Sequence, residues 1–225
     1  MKKKTMLIIS LVLSILSLLY FIAEYYGGTR YIKLDRNDTD SYLANYKTIE
    51  KASKGRVVVC FSCTLERLVY IDQFLNSILD QTVRVDEIML VIDYSEINYI
   101  PEKYKKIVSV HGLKKNYDNN SNLICSILTE PDADTKIILV SPDIIYPLDF
   151  IETMVSESDK YPSKIIYGSD TKKLDYGILI KPQFFDDKIS KYECGSSQSC
   201  SDCLNKYSDA PSSVADCGVF YRIYK

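Results

Sequence analysis

Three charged residues stand where apolar runs give way: Arg67, Asp93 and Asp143. Arg67 follows Arg56-Val-Val-Val-Cys-Phe-Ser62, and Asp93 closes Glu87-Ile-Met-Leu-Val-Ile92. Asp143 comes just after Lys136-Ile-Ile-Leu-Val140, and Asp202 lies between Cys200 and Cys203. Carboxylates and a guanidinium at the ends of buried strands can bind a ligand. The same residue types also cap helices, make turns or face solvent, and the sequence leaves both readings open. Other chemistries lack their residues. There is no GxGxxG and no GxxxxGK followed by Ser or Thr, so a dinucleotide or P-loop site has no support. The lone His111 has no evident nucleophile beside it and reads as a packing or surface histidine.

The apolar runs are continuous and rich in β-branched residues, the signature of strands buried on both faces. Strands are predicted at 56–62, 87–92, 106–110, 136–140, 164–167 and 176–180. Between the first two, Leu68, Ile71, Phe74, Leu75, Ile78 and Leu79 recur at helical spacing over 65–79. Further helices are predicted over 121–128 and from Pro147, suited to a first helical turn, to about Asp159. Strands alternating with helices imply an α/β fold: a mostly parallel sheet with helices on both faces. Ligands then bind beyond the carboxyl ends of the strands, which selects Ser62 to Arg67, Asp93 and Ser141 to Asp143.

The net charge of −2 gives no electrostatic reason to invoke nucleic acid. Lys2, Lys3 and Lys4 precede an uncharged run from Met6 to Ala23, which as a helix of about 27 Å just spans a bilayer. The lysines predict a cytoplasmic N-terminus and a lumenal or extracytoplasmic remainder. An uncleaved anchor is the better reading, because a cut after Ala23 would leave Phe21 where a small residue is needed. Residues 1–5 are then a basic tail, 6–23 the anchor, 24–54 a polar stem and 55–225 the domain. Seven cysteines suit an oxidising compartment, with Cys194, Cys200, Cys203 and Cys217 crowded near the end. Two disulfides among these four are expected over a zinc site, since the separations do not form two close pairs. Asn37 and Asn119 head glycosylation sequons.

Several motifs, in order, resemble the GT-A glycosyltransferases, in particular family-2-like proteins. Arg67-Leu68 follows the first strand, and Gln81-Thr82 with Asp86-Glu87-Ile88 leads into the second. Asp143-Ile-Ile-Tyr-Pro147 is close to the family's Asp-Asp-Asp-Ile-Ile-Tyr-Pro. Tyr167-Gly168 and Gly177-Ile-Leu-Ile-Lys-Pro-Gln-Phe-Phe-Asp186 also match, so the likeness covers about residues 56 to 207.

The resemblance implies a nucleotide-sugar donor and a glycan or protein acceptor. Asp143 would hold Mn²⁺ or Mg²⁺ on the diphosphate, and Asp93 would contact the nucleoside. Arg67 and Asn122 would face the donor, and Asp202 would be the general base. Three departures fall on those places: Ser141-Pro142 replaces acids before Asp143, Asn122 replaces a lysine, and Ser201 replaces the first acid of a pair. They leave open a non-catalytic relative that scaffolds a partner glycosyltransferase. A membrane-anchored structural protein crosslinked through its cysteines is the remaining alternative.

Overall fold

The computed structural model describes residues 2–25, 28–36, 38–114, 120–185, 200–218 and 220–222. The chain divides into two units, Met1–Asp38 and Thr39–Lys225. The first holds α1 (Lys2–Tyr25) and α2 (Gly28–Arg36). Within α1, Lys4–Glu24 is long and apolar enough to cross a membrane, with mean hydropathy 2.7. Asn37, expected to carry a glycan, lies outside the described residues, as does Asn119.

The second unit opens with α3 (Thr39–Tyr46), followed by β1 (Val57–Ser62), α4 (Leu65–Leu68), α5 (Asp72–Leu79) and β2 (Glu87–Asp93). Then come α6 (Glu102–Lys105), β3 (Ser109–Leu113), α7 (Ser121–Thr129), β4 (Lys136–Leu139) and β5 (Ile144–Ile145). The chain continues through α8 (Phe150–Lys160), β6 (Ile165–Tyr167), β7 (Ile178–Ile180), α9 (Cys200–Tyr207), β8 (Ser212–Val214) and β9 (Tyr221–Arg222). Seven strands form one sheet in the order β3-β2-β1-β4-β7-β6-β8. The β3-β2-β1-β4 half is parallel, whereas β7 runs antiparallel to both β4 and β6. The α/β architecture is therefore as expected, with a mixed sheet.

Burial explains why these runs became strands. Val57 to Phe61, Ile137 to Leu139 and Ile178 to Ile180 are all fully buried, so neither sheet face is wet. Val58, Cys60, Met89, Val91, Ile137 and Leu139 pack with Leu123 of α7 and with Cys203 and Leu204 of α9. Strand alternation turns Phe61 to the opposite face, where its ring meets Phe74 at 4.9 Å between centroids.

Four local expectations are corrected. The helix expected over 65–79 is two helices, because Val69 and Tyr70 break the ladder while Leu68 and Ile71 stay buried. The third strand starts at Ser109, since Ile107 and Val108 donate to the Tyr104 carbonyl and prolong the turn after α6. The helix expected from Pro147 starts at Phe150, and two-residue β5 precedes it and pairs with β9. The polar stretch expected as stem holds α2 and α3, and its later part joins the domain. There, Val85 N–H donates to the Tyr46 hydroxyl (2.7 Å), and Arg84 exchanges backbone bonds with Glu50 and Ala52. Tyr42 and Tyr46 are buried by that docking.

At the amino end of the parallel strands, Arg56 makes paired bonds to the buried Glu130 (2.7 and 2.9 Å) and also holds Glu87. Burial alone would raise the Glu87 pKa, but bonds from Ser109, Arg56 and His111 hold it below the ordinary glutamate value. A depressed folded pKa stabilises the fold above the unfolded value and loses that contribution as pH falls. The chemical-denaturation midpoint should therefore drop as pH falls from about 5 to about 3, and less steeply in Glu87→Gln. In the core, Ile166→Ala should cost about 2–5 kcal/mol in the same measurement, because Ile166 is fully buried between β7 and β8.

Candidate functional site

Beyond the carboxyl ends of β1, β2 and β4 lie two cavities that share Ser62 and Arg67. The first, of about 570 Å³, is lined by Cys63, Arg67, Asp93, Glu96 and Ser121 among others. The second, of about 650 Å³, is lined by Arg67, Asp143, Lys172, Lys173, Asp175 and Asp202 among others. Four of the residues selected from sequence thus line one continuous edge of the sheet. Arg67 reaches this edge because α4 ends at Leu68, which frees it from the register of α5.

Arg67 and Asp143 form an ion pair of 2.9 Å at the junction of the two cavities. Their side chains are 59% and 33% exposed, so solvent screening limits the pair to about 1 kcal/mol or less. Such a pair positions Arg67 but yields readily to a competing anion. Asp143 does not cap the following helix, which starts at Phe150. Instead, Asp143 N–H approaches the Ser141 hydroxyl (3.4 Å), and Ile144 N–H donates to the Ser141 carbonyl. Ser141 thus organises the turn that presents Asp143.

Asp93 is spoken for locally. Its carboxylate accepts from Ser95 N–H (2.8 Å) and the Ser95 hydroxyl (2.6 Å), capping the 3-10 turn Tyr94–Tyr99. Those bonds, hydroxyl first, hold its pKa below the usual aspartate value. It is solvent-exposed at the mouth of the first cavity. Asp202 sits exposed in the first turn of α9 and lines the second.

Asn122 departs from expectation. It is fully buried and lines neither cavity. Its Oδ1 accepts from Leu123 N–H (2.9 Å), its carbonyl accepts from the Cys60 thiol, and its Nδ2 has no partner among the described residues. The apolar run that follows, Leu123 to Ile127, draws the start of α7 into the core and Asn122 with it.

The cysteines also differ from expectation. Cys203 is disulfide-bonded, whereas Cys200 and Cys217 are free and buried, and Cys194 lies outside the described residues. Cys200 is buried near Tyr167, and Cys217 is buried near Asp149, Asp216 and Glu157, so the two thiols occupy different surroundings. Burial pushes both up to about 12.

The described residues do not supply the several protein ligands of a self-contained divalent-ion site. Among the described residues, no three His, Cys, Asp or Glu side chains come together as such a site. Asp143, the expected ligand, faces a guanidinium instead.

Sequence inspection passed over the residues that shape the site. The buried Tyr146 hydroxyl accepts from Ser141 N–H (2.8 Å) and donates to the Asp175 carbonyl (3.0 Å), joining both walls of the second cavity. Gln81 donates to the Ser77 and Pro147 carbonyls (2.9 and 2.6 Å) and accepts from Ile151 N–H (2.9 Å), stapling α5 to the β4–α8 connection. Lys172 and Lys173 arrive on the loop between β6 and β7, whose base is closed by Gly168 N–H to the Gly177 carbonyl (3.0 Å). A Cβ at Gly168 would lie 2.0 Å from the Tyr176 carbonyl oxygen, and Gly177 has a φ of 84°. Only the motif likeness, through Gln81, Tyr146, Gly168 and Gly177, hinted at these positions.

No known family matches the chain by sequence, and no curated protein does so. Among solved structures, S. aureus TarS is similar at 18% identity with a TM-score of 0.40. The match covers 50% of this chain and 21% of that one.

Tyr146→Phe should destabilise the fold by about 1–3 kcal/mol, because it leaves the Ser141 N–H and Asp175 carbonyl without this partner. Urea denaturation should show the lower midpoint with an unchanged slope.

Proposed function

We propose that this chain is a membrane-anchored, glycosyltransferase-like protein that binds a nucleotide-sugar across the two joined cavities. The observation that carries the reading is convergence: Arg67, Asp93, Asp143 and Asp202, far apart in sequence, line one edge of the sheet. That edge is where α/β sheets bind ligands. The ordered motif likeness to family-2-like GT-A proteins supplies the ligand class.

The nucleoside lies in the first cavity beside Asp93. The diphosphate crosses Arg67, and the sugar enters the second cavity between Asp143 and Asp202. In transfer, an acceptor hydroxyl attacks the anomeric carbon while Asp202 takes its proton. The bond from that carbon to the diphosphate oxygen breaks, and the electron pair leaves with the nucleoside diphosphate. The guanidinium of Arg67 offsets the charge that develops there. The acceptor is a glycan or protein on the lumenal or extracytoplasmic side.

A second reading is a binding protein without transfer, serving a partner glycosyltransferase. The pairing of Asp143 with Arg67 favours it, because the carboxylate expected to organise metal chemistry is engaged elsewhere.

The full chain in detergent micelles should bind at least one of a panel of UDP- and GDP-sugars by calorimetry. Asp202→Asn should keep that affinity within about threefold yet cut transfer or donor hydrolysis at least 100-fold. Binding without turnover in the unaltered protein would select the second reading. A folded chain that binds none of the panel ends both.

A further inference from the structure

Resting on the nucleotide reading, we infer that the diphosphate is held without a divalent metal, by an arginine standing where the cation would be. Three observations carry this. First, the described carboxylates do not assemble a cation site: Asp143 meets Arg67 at 2.9 Å, and Asp175 pairs with Arg222. Second, basic residues border the space a diphosphate would need. Arg67 borders both cavities, and Lys172 and Lys173 line the second. Third, the loop that brings those lysines is held in an uncommon conformation. Lys172 has a φ of 51°, in the left-handed region that non-glycine residues seldom adopt. Its Nζ is anchored by the Ser212 hydroxyl (3.1 Å) and sits 5.5 Å above the Tyr167 ring, which places Lys173 on the cavity wall.

The chemistry is consistent with an arginine clamp. A guanidinium presents five donors in a planar fork that matches phosphate oxygens, and one Nη is enough to reach Asp143. Asp143 then orients Arg67 rather than ligating a metal. The exposed ion pair is weak enough to be displaced when a diphosphate arrives. Ser141 and Pro142 fit the same scheme, since a clamp of this kind needs no second carboxylate at that position.

The test is calorimetry on the full chain in micelles with UDP, GDP, CDP and inorganic pyrophosphate, in EDTA and again in Mn²⁺. At least one nucleoside diphosphate should bind in EDTA, with affinity changed less than about twofold by Mn²⁺. Arg67→Gln should weaken it tenfold or more, and Lys173→Ala about threefold to tenfold. Asp143→Asn should change the affinity by the same factor in EDTA and in Mn²⁺, whereas an ion held by that carboxylate would make the loss specific to Mn²⁺. Circular dichroism confirms that each variant is folded. Binding that appears only with Mn²⁺ and vanishes in Asp143→Asn overturns the metal-free clamp and leaves the nucleotide reading standing. Absence of binding in both buffers by a folded chain overturns that reading, and the clamp with it.

Discussion

The geometry of the site depends on how the chain is held as it leaves β4. A parallel strand ends abruptly, and its next residues must turn across the sheet edge without wasting buried polar groups. Tyr146 meets that constraint. Its hydroxyl takes the Ser141 N–H and gives to the Asp175 carbonyl, so one buried atom fixes both walls of a cavity. Its ring lies 4.5 Å from Phe150 and 6.2 Å from Phe74, which locks it against α8 and α5. Gln81 completes the support from below through three further bonds. The exposed, weakly paired residues above can be sparse because the buried ones beneath them are fully engaged.

This division clarifies what the sequence motifs encode. Gln81-Thr82 and Asp86-Glu87 enter the likeness only as a motif that leads into the second strand. In the structure they are carpentry. Thr82 bonds the Leu148 carbonyl and Glu152, Asp86 accepts from Val57 N–H, and Glu87 joins the Arg56 network at the far end of the sheet. The retained motifs therefore account for the shape of the edge. The altered positions, Ser141 and Pro142, bear on what the edge can do.

The central strands were legible because Val57 to Phe61 and Ile88 to Ile92 are continuous apolar runs, which only a doubly covered sheet can bury. The antiparallel turn at β7 was not, since direction leaves no trace in a three-residue run such as Ile178 to Ile180. Strands β5 and β9 are too short to carry a period at all. At the site, position along the chain identified Arg67, Asp93 and Asp143 as neighbours of the strand ends, and the motif likeness alone pointed to Asp202. It could not reveal that Arg67 and Asp143 meet, because that contact is made by the fold. Asn122 misled for the opposite reason: motif alignment put it in the site, while the apolar residues after it pulled it inside. The segment 39–54 looked like stem because its two anchoring tyrosines are isolated among polar residues.

The closed base of the β6–β7 loop has an evolutionary consequence. With Gly168 and Gly177 joined at its root, whatever lies between them can lengthen, shorten or change charge while β6 and β7 keep their register. Doubling such a loop costs only about 0.6 kcal/mol in closure entropy. The sheet is thus a fixed frame and the loop an exchangeable part. A lineage that needed a different ligand could retool Lys172 and Lys173 alone and inherit everything else unchanged.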